Sequence, residues 1–122
     1  MTPYFNILIP VKDRAWTLQS TLETVLSQDY PHFRVVVSDN CSQDGLQEVL
    51  AQFAGDSRLH YVSTPGPLGM SENFEFALDQ VDGDWVAYLG ADDGLLPGTL
   101  TRVAELIAAT GCQAVTGAPA SY

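Results

Sequence analysis

The hydrophobic residues of the chain fall into short runs that predict β-strands. Five runs of strand length are rich in β-branched and aromatic residues and are followed by turn-forming residues. These runs cover residues 5–10, 33–38, 59–63, 85–89 and 113–117. The first two, FNILIP and FRVVVS, are apolar over most of their length, which indicates buried strands. The pattern therefore predicts five strands separated by longer segments of a different periodicity.

The intervening segments show apolar residues at helical spacing. In a predicted helix over residues 15–28, with Asp13 as its N-cap, the apolar residues share one face: Leu18, Leu22, Val25 and Leu26. A short helix is predicted over residues 46–53. The stripe of the next helix consists of Phe74, Ala77, Leu78 and Val81. A last helix begins at Pro97 and ends at Gly111, with an inner face formed by Leu100, Val103, Leu106 and Ile107.

Strands and helices alternate along the chain, which predicts an α/β fold with a mostly parallel sheet and helices on both faces. The length of 122 residues suits a single domain over residues 1–122. In such sheets, ligands bind outside the carboxyl ends of the strands. Polar segments follow strands one, two and four, at residues 10–14, 38–44 and 90–94. The sequence therefore predicts a binding site at this edge.

The charge of the chain restricts its partners. Five Lys and Arg residues against fifteen Asp and Glu residues give a net charge of −10. This balance argues against nucleic acid and against an anionic membrane surface as direct partners. No membrane-spanning segment and no signal peptide are predicted. Cys41 and Cys112 lie far apart in unlike contexts, which predicts reduced thiols and a cytoplasmic location.

The adjacent carboxylates of Asp92 and Asp93 follow the fourth strand in the stretch YLGADDG. Asp-Asp-Gly is ordinary turn sequence, which is the alternative to a functional role. The next helix begins near Pro97, however, so neither carboxylate sits naturally at its N-cap. Carboxylates at a strand end suit Mg²⁺ or Mn²⁺, bound together with substrate phosphates. A bound cation would allow this acidic chain to bind a diphosphate.

Two further polar groups lie at the same predicted edge. Asp39 and Asn40 directly follow the second strand, where they are placed to hydrogen-bond a ligand such as a base edge. Ser42 or Asp44 is expected to cap the helix at residue 46. Lys12 and Arg14 follow the first strand and are candidates for contact with a phosphate; a solvated surface pair is the alternative for these two cations.

Together these segments resemble the family 2 glycosyltransferases of the GT-A fold. FNILIPVKDRAWTLQSTLETVLSQDYPHFRVVVSDNCSQDG resembles the family's opening, with a P-x-Y-N-R loop and a strand that ends in D-D/N-x-S-x-D. LHYVSTPGPLGMSENFEFALDQVDGDWVAYLGADDGLLPGTL resembles its second block, with a Gly-x-x-x-Asn helix and a DXD-like motif. The resemblance covers essentially the whole chain.

The resemblance implies a Rossmann-like sheet and transfer of a sugar from a nucleotide diphosphate sugar, with a divalent metal on the diphosphate. By position, Asp93 would be a metal ligand, and Asp92 would contact the ribose or the metal. Asp39 and Asn40 would lie against the base, in a pocket shaped by Pro10. Two positions depart from the family pattern. Lys12, also expected at the nucleotide, replaces a usual aromatic residue, and Gly90 replaces a frequent aspartate.

The resemblance also implies that this chain is the donor-binding part of a longer enzyme. Family members are usually much longer, and their acceptor site and catalytic base come from the second half. We therefore expect a domain truncated at its C-terminal end, inactive alone and able to self-associate through an unpaired strand edge. The acceptor, whether a sugar, a lipid or a protein, is not specified, and the full-length protein could work at the cytoplasmic face of a membrane.

Two alternative functions fit parts of the same pattern. A non-catalytic module could hold a nucleotide without transferring anything. A phosphorylation-receiver domain has a similar length and an acidic Mg²⁺ site, but it carries its acidic pair after strand one and a lysine after strand five. Here the lysine follows strand one, and the third strand ends in VSTPG without an aspartate.

Overall fold

A computed structural model of the protein describes residues 2–117. Its centre is a four-stranded, all-parallel sheet in the order β3-β2-β1-β4. The strands are β1 (Phe5–Val11), β2 (Phe33–Asp39), β3 (Leu59–Ser63) and β4 (Trp85–Tyr88). The helices are α1 (Ala15–Leu26), α2 (Leu46–Ala51), α3 (Met70–Leu78) and α4 (Thr99–Thr110). The predicted α/β fold with a parallel sheet flanked by helices is confirmed.

The two faces of the sheet carry separate apolar clusters because side chains alternate along each strand. One cluster joins β1 and β2 residues such as Ile7 and Val35 to residues from α1, α2 and α4. On the opposite face, Leu8 and Val36 pack against Ala77 of α3. Both central strands are therefore buried on both sides, which explains why their sequences are apolar over most of their length.

Two predicted elements differ from the structure. Residues 113–117, predicted as a fifth strand, have no strand conformation. The prediction rested on apolar content, which marks a segment as suitable for a strand but does not make it pair: residues 113–117 line the groove beside β4 without joining the sheet. In α3, the predicted stripe is only partly buried: Phe74 and Leu78 are exposed, whereas Asn73 and Ala77 face the sheet. The backbone of α3 packs across β1 and β2, whereas the exposed side of the helix reaches β4 through Phe74, whose ring stacks on that of Tyr88 at 5.1 Å.

The outer edge of β4 is unpaired within the described part of the chain. Trp85 and Leu89 donate their N–H groups to carbonyl oxygens of Tyr4 and Leu8 beside them. Because the N–H groups alternate in direction along a strand, those of Val86 and Tyr88 point to the open edge. An apolar groove of about 870 Å³ runs along this edge, between β4, α4 and residues 113–117. This groove lies away from the predicted carboxyl-edge site.

The strand order distinguishes the dinucleotide-binding arrangement from that of a phosphorylation-receiver domain. The order 3-2-1-4 is the beginning of the dinucleotide-binding arrangement, in which the direction of winding reverses between β1 and β4. Receiver domains follow the order 2-1-3-4-5 instead. The receiver alternative is therefore wrong for this chain.

None of the helices in residues 2–117 combines the length and the hydrophobicity needed to cross a membrane.

Candidate functional site

The reversal of strand order opens a crevice between the carboxyl ends of β1 and β4. Phe5 donates its N–H towards β2, so alternate N–H groups of β1, such as that of Leu8, point towards β4. The next residue in that series is Pro10, which has no N–H. Pairing with β4 has already ended there, at the 2.9 Å hydrogen bond from Leu89 to the carbonyl of Leu8. Proline thus removes a donor where no strand remains to accept it.

The acidic turn, residues 90–94, leaves β4 at this crevice. The N–H of Asp93 donates to the carbonyl of Gly90 at 3.1 Å, which closes the turn. Both carboxylates fold back towards Gly90, and a Cβ atom at that position would lie 2.7 Å from Asp93 Oδ2 and 3.0 Å from Asp92 Oδ1. Two carboxylate oxygens therefore converge on the space that the glycine leaves free. Both aspartate side chains are exposed to solvent at the sheet edge.

This geometry fits a hard divalent cation. Mg²⁺ and Mn²⁺ take oxygen ligands and are often bound by one or two carboxylates together with waters and substrate phosphates. Residues 2–117 hold no cluster of three or more His, Cys, Asp or Glu side chains able to bind a metal. The acidic turn can thus supply two carboxylates, and the remaining ligand positions would have to come from a diphosphate and water.

Asp39 lies at the end of β2 and is almost fully buried, with 5% of its surface exposed. Its Oδ1 accepts the N–H of Ser42 at 2.9 Å, and its Oδ2 accepts the hydroxyl of Tyr61 at 2.8 Å. Burial, followed by the hydrogen bond to Asp39 and its charge, raises the pKa of Tyr61. The phenol therefore stays protonated and remains the donor. Each carboxylate oxygen keeps a further lone pair with which it could accept a hydrogen bond from a ligand.

Asn40 follows Asp39 but makes contacts of a different kind. Its Nδ2 donates to the carbonyl of Leu68 at 2.7 Å, and its Oδ1 accepts the N–H of the same residue at 2.9 Å. The amide therefore holds the loop between β3 and α3 against the end of β2. A direct contact of Asn40 with a base remains a prediction.

The loops after β1 and β2 are joined by hydrogen bonds that run in both directions. The N–H of Asp13 donates to Ser42 Oγ at 2.9 Å, and Asp13 Oδ1 accepts the N–H of Gln43 at 2.8 Å. Asp44 Oδ2 accepts the N–H of Ala15, at the first residue of α1, at 2.8 Å. Asp13 and Cys41 have positive φ angles of 53° and 58°, which the two loops hold in place together.

These contacts correct two sequence predictions about helix caps. Arg14, rather than Asp13, is the N-cap residue of α1, and the capping carboxylate comes from Asp44 in the other loop. The N-cap of α2 is Gly45, and no side chain caps that helix. Ser42 and Asp44 therefore stabilise the loop after β1 instead of α2. The predictions assumed capping within one segment, whereas here the cap crosses between two loops.

The cations after β1 lie at the same edge. Lys12 and Arg14 are exposed, and the guanidinium of Arg14 donates to the carbonyl of Asp13 at 3.2 Å. The structure thus brings the ends of β1, β2 and β4 together as predicted. The contribution of Tyr61 was not predicted, because a tyrosine within a predicted strand gives no signal of its partner. Alternation places its ring on the same side of the sheet as Asp39 only once the register of β2 and β3 is known.

Sequence comparisons find relatives that are named as glycosyltransferases. The chain is 28% identical over 111 residues to TuaG of Bacillus subtilis, which is named as a teichuronic acid biosynthesis glycosyltransferase. The match covers 90% of this chain and 44% of TuaG. The chain spans less than half the length of the curated relatives it matches.

Solved structures share the fold. S. aureus TarS in complex with UDP-GlcNAc superposes with a TM-score of 0.80 at 24% identity, over 88% of this chain and 32% of that chain. The mannosyltransferase PcManGT from Pyrobaculum calidifontis, in complex with GDP-Man and Mn²⁺, gives a TM-score of 0.79 at 24% identity, over 88% and 33% of the two chains. At this identity the likeness establishes the fold, which is that of the GT-A glycosyltransferases.

The match to a family model is the most extensive of these findings. The model described as glycosyl transferase family 2 matches residues 6–122, which includes every strand and helix except the first residue of β1. The resemblance stated from the sequence motifs is therefore confirmed, and the chain belongs to glycosyl transferase family 2.

Proposed function

We propose that this chain is the donor-binding domain of a metal-dependent glycosyltransferase that uses a nucleotide diphosphate sugar. The observation that carries the proposal is the convergence of the Asp92 and Asp93 carboxylates on the space beside Gly90, at the crevice between β1 and β4. A chain with a net charge of −10 would repel a diphosphate. A cation held by these carboxylates would turn the same edge into an attractive site.

The solved relatives support this assignment of ligand class. TarS is in complex with UDP-GlcNAc, and PcManGT is in complex with GDP-Man and Mn²⁺. Both share the fold of this chain. We extend the ligand class, a nucleotide diphosphate sugar with a divalent cation, to this chain as part of the proposal.

The side chains divide the work of binding among the strand ends. Asp93 and Asp92 would hold Mg²⁺ or Mn²⁺, which when bound supplies Lewis-acid stabilisation of the departing nucleoside diphosphate. Asp39 would accept a hydrogen bond from the base, next to Asn40, and Pro10 would shape the same pocket. Lys12 would lie against the nucleotide from the loop after β1. Parts of a longer protein would bind the acceptor and supply the base that deprotonates its hydroxyl.

The test is a calorimetric titration with nucleoside diphosphates, in Mn²⁺ and in EDTA. The proposal predicts tighter binding in Mn²⁺, because the cation links the acidic turn to the diphosphate. The proposal would be contradicted if UDP, and likewise GDP, bound with the same affinity in Mn²⁺ as in EDTA. Binding with strong metal dependence but no transfer in any longer form of the protein would favour the non-catalytic module instead.

Replacement of Asp39 by asparagine is expected to reduce discrimination among bases by about tenfold or more, because hydrogen bonds to charged groups contribute roughly 1.5–3 kcal/mol. The asparagine amide can still accept the N–H of Ser42 and can donate to the Tyr61 hydroxyl, so the local fold is preserved. One acceptor facing the base becomes a donor, and a site that leaves a base N–H unpaired loses selectivity. The measurement is the ratio of UDP, GDP, ADP and CDP affinities.

The matched control for that variant is Asp79→Asn, which makes the same chemical change at an exposed residue following α3. The control should keep the base preference of the unmodified chain. If Asp39→Asn keeps the same preference as well, Asp39 does not read the base.

We further propose that two copies of the chain associate through the open edge of β4. The strand contains no charge, no proline and no bulge that would protect its edge. Val86 and Tyr88 are 39% and 46% exposed beside it. Because two copies carry like net charge, salt should strengthen their association by screening the repulsion. Sedimentation velocity at low and high salt measures this, and Val86→Lys should give monomers; association unchanged in Val86→Lys would exclude this edge.

The location of the protein belongs to the same proposal. We propose that this domain works in the cytoplasm, a reducing compartment, where its acidic edge would meet the donor.

A further inference from the structure

Helix α1 and the residues that directly follow it present three polar side chains towards the segment that carries the acidic turn. Thr21 and Gln28 are almost fully buried, with 1% and 5% of their surfaces exposed, and Thr24 lies half-buried between them. Thr21 and Thr24 share one face of α1, and Gln28 continues that face two residues beyond the end of the helix at Leu26. We call Thr21, Thr24 and Gln28 the polar stripe of α1. A helix face packed inside a protein is normally apolar, so a buried polar stripe calls for partners.

The partners of Thr21 are backbone atoms within the acidic turn. Its hydroxyl lies 3.0 Å from the carbonyl oxygen of Ala91 and 2.5 Å from that of Asp93. Ala91 and Asp93 are the residues on either side of Asp92, and both carbonyl groups point towards α1. With the two carbonyl groups directed inward, the side chains of Asp92 and Asp93 are directed outward to the sheet edge.

Thr24 and Gln28 hold the chain that follows the turn. Thr24 Oγ1 accepts the N–H of Leu95 at 3.1 Å, and it would lie 3.1 Å from a Cβ atom placed on Gly94. Gln28 Nε2 donates to the carbonyl of Leu96 at 2.9 Å, and Gln28 Oε1 accepts the N–H of Leu100 at 3.1 Å. The last bond satisfies an N–H in the first turn of α4, whose N-cap Gly98 offers no side chain.

We propose that the polar stripe of α1 positions the Asp92 and Asp93 carboxylates for the divalent cation. This inference rests on the proposed function and assigns positioning residues to its metal site. Side chains that orient the ligands of a metal commonly change its affinity by 10–100-fold when they are altered. Here the orientation acts through the backbone: the stripe fixes the carbonyl groups of the turn, and the fixed turn aims both carboxylates at the space beside Gly90.

A purely structural role would have a different signature. If the stripe only docked α1 onto the rest of the domain, its loss would lower stability and weaken every form of nucleotide binding alike. If it positions the carboxylates, its loss should reduce the gain in UDP affinity that Mn²⁺ provides, while the affinity in EDTA stays the same. The ratio of these two affinities therefore separates the two roles.

The experiment compares Thr21→Val with Thr21→Ser in the full 122-residue chain. Valine keeps the shape of threonine but removes the hydroxyl, whereas serine restores it. Thr110→Val is the matched control, because that hydroxyl donates to the carbonyl of Leu106 and accepts the N–H of Cys112, both at the end of α4 that lies far from the turn. UDP binding is titrated in Mn²⁺ and in EDTA, and amide hydrogen exchange is followed at residues 91–95 without any ligand.

We expect Thr21→Val to reduce the Mn²⁺-dependent gain by about tenfold and to speed exchange at residues 91–95. Thr21→Ser and Thr110→Val should behave as the unmodified chain. An unmodified chain without any Mn²⁺-dependent gain would overturn the proposed function and this inference with it. A normal gain in the unmodified chain that is retained in Thr21→Val would overturn the inference alone.

A second variant covers the case in which Thr21→Val does not fold. Gln28→Glu keeps the acceptor for the N–H of Leu100 but removes the donor to the carbonyl of Leu96. It should also lower the Mn²⁺-dependent gain and increase exchange after the turn, with circular dichroism reporting the fold. A folded Gln28→Glu chain with an unchanged gain would contradict the inference.

Discussion

Replacement of Asp93 by asparagine is expected to remove most of the difference between UDP affinity in Mn²⁺ and in EDTA. Asparagine has nearly the same shape, so the turn closed by its N–H to Gly90 can persist. The variant lacks one of two negative charges that converge beside Gly90. A neutral amide oxygen is a weaker ligand for a hard cation. Charged groups contribute more to binding than neutral ones. We therefore expect the gain in UDP affinity that Mn²⁺ provides to fall by about 10–100-fold, as measured by calorimetry.

Gly90→Ala tests the same site without changing its charge. The added Cβ would lie 2.7 Å from Asp93 Oδ2 and 3.0 Å from Asp92 Oδ1, so both carboxylates would have to move. We expect a reduced Mn²⁺-dependent gain with little change in EDTA.

Asp79→Asn serves as the charge-matched control for Asp93→Asn and should bind as the unmodified chain does. A full Mn²⁺-dependent gain in Asp93→Asn would show that the cation, if any, is held elsewhere.

The strands, the helices and their order could be predicted because each is specified locally. FNILIP and FRVVVS are apolar enough to require burial on both faces, and that requirement alone indicates parallel central strands covered by helices. The carboxyl edge followed from topology, since polar segments come after β1, β2 and β4. The acidic pair could be noticed because two adjacent carboxylates between glycines have few structural explanations.

The contacts that hold the site could not be predicted, because each joins residues far apart in sequence. Asp44 caps α1 across 29 positions, and Thr21 reaches the carbonyl of Ala91 across 70. A threonine within an apolar helical stripe is a weak signal, since threonine also occurs there for packing. The fifth strand was wrong because apolar content marks a segment as suitable for a sheet but does not determine whether it pairs, and residues 113–117 lie beside β4 without joining the sheet.

The 122-residue chain, assayed alone, is expected to transfer no sugar even where it binds donor. Transfer requires the acceptor oxygen in line with the sugar carbon and a base within hydrogen-bond reach of its proton. The carboxylates at the sheet edge are engaged otherwise: Asp39 with Ser42 and Tyr61, and Asp44 with α1. The helical carboxylates are exposed to solvent: Glu23, Glu48, Glu72, Glu75, Asp79 and Glu105.

Among these, Glu72 comes nearest to the edge, in the first turn of α3, where its Oε1 would lie 3.0 Å from a Cβ atom on Gly69. Its helix packs on β1 and β2, whereas the acidic turn follows β4. The assay supplies UDP- and GDP-sugars with Mn²⁺ and simple sugar, lipid and peptide acceptors, and follows nucleotide release and acceptor glycosylation separately. Slow donor hydrolysis is compatible with the prediction, because water needs no acceptor site. Glycosylation at ordinary enzyme rates, roughly 1–1,000 per second, would contradict it, and loss of that activity in Glu72→Gln would then identify the base.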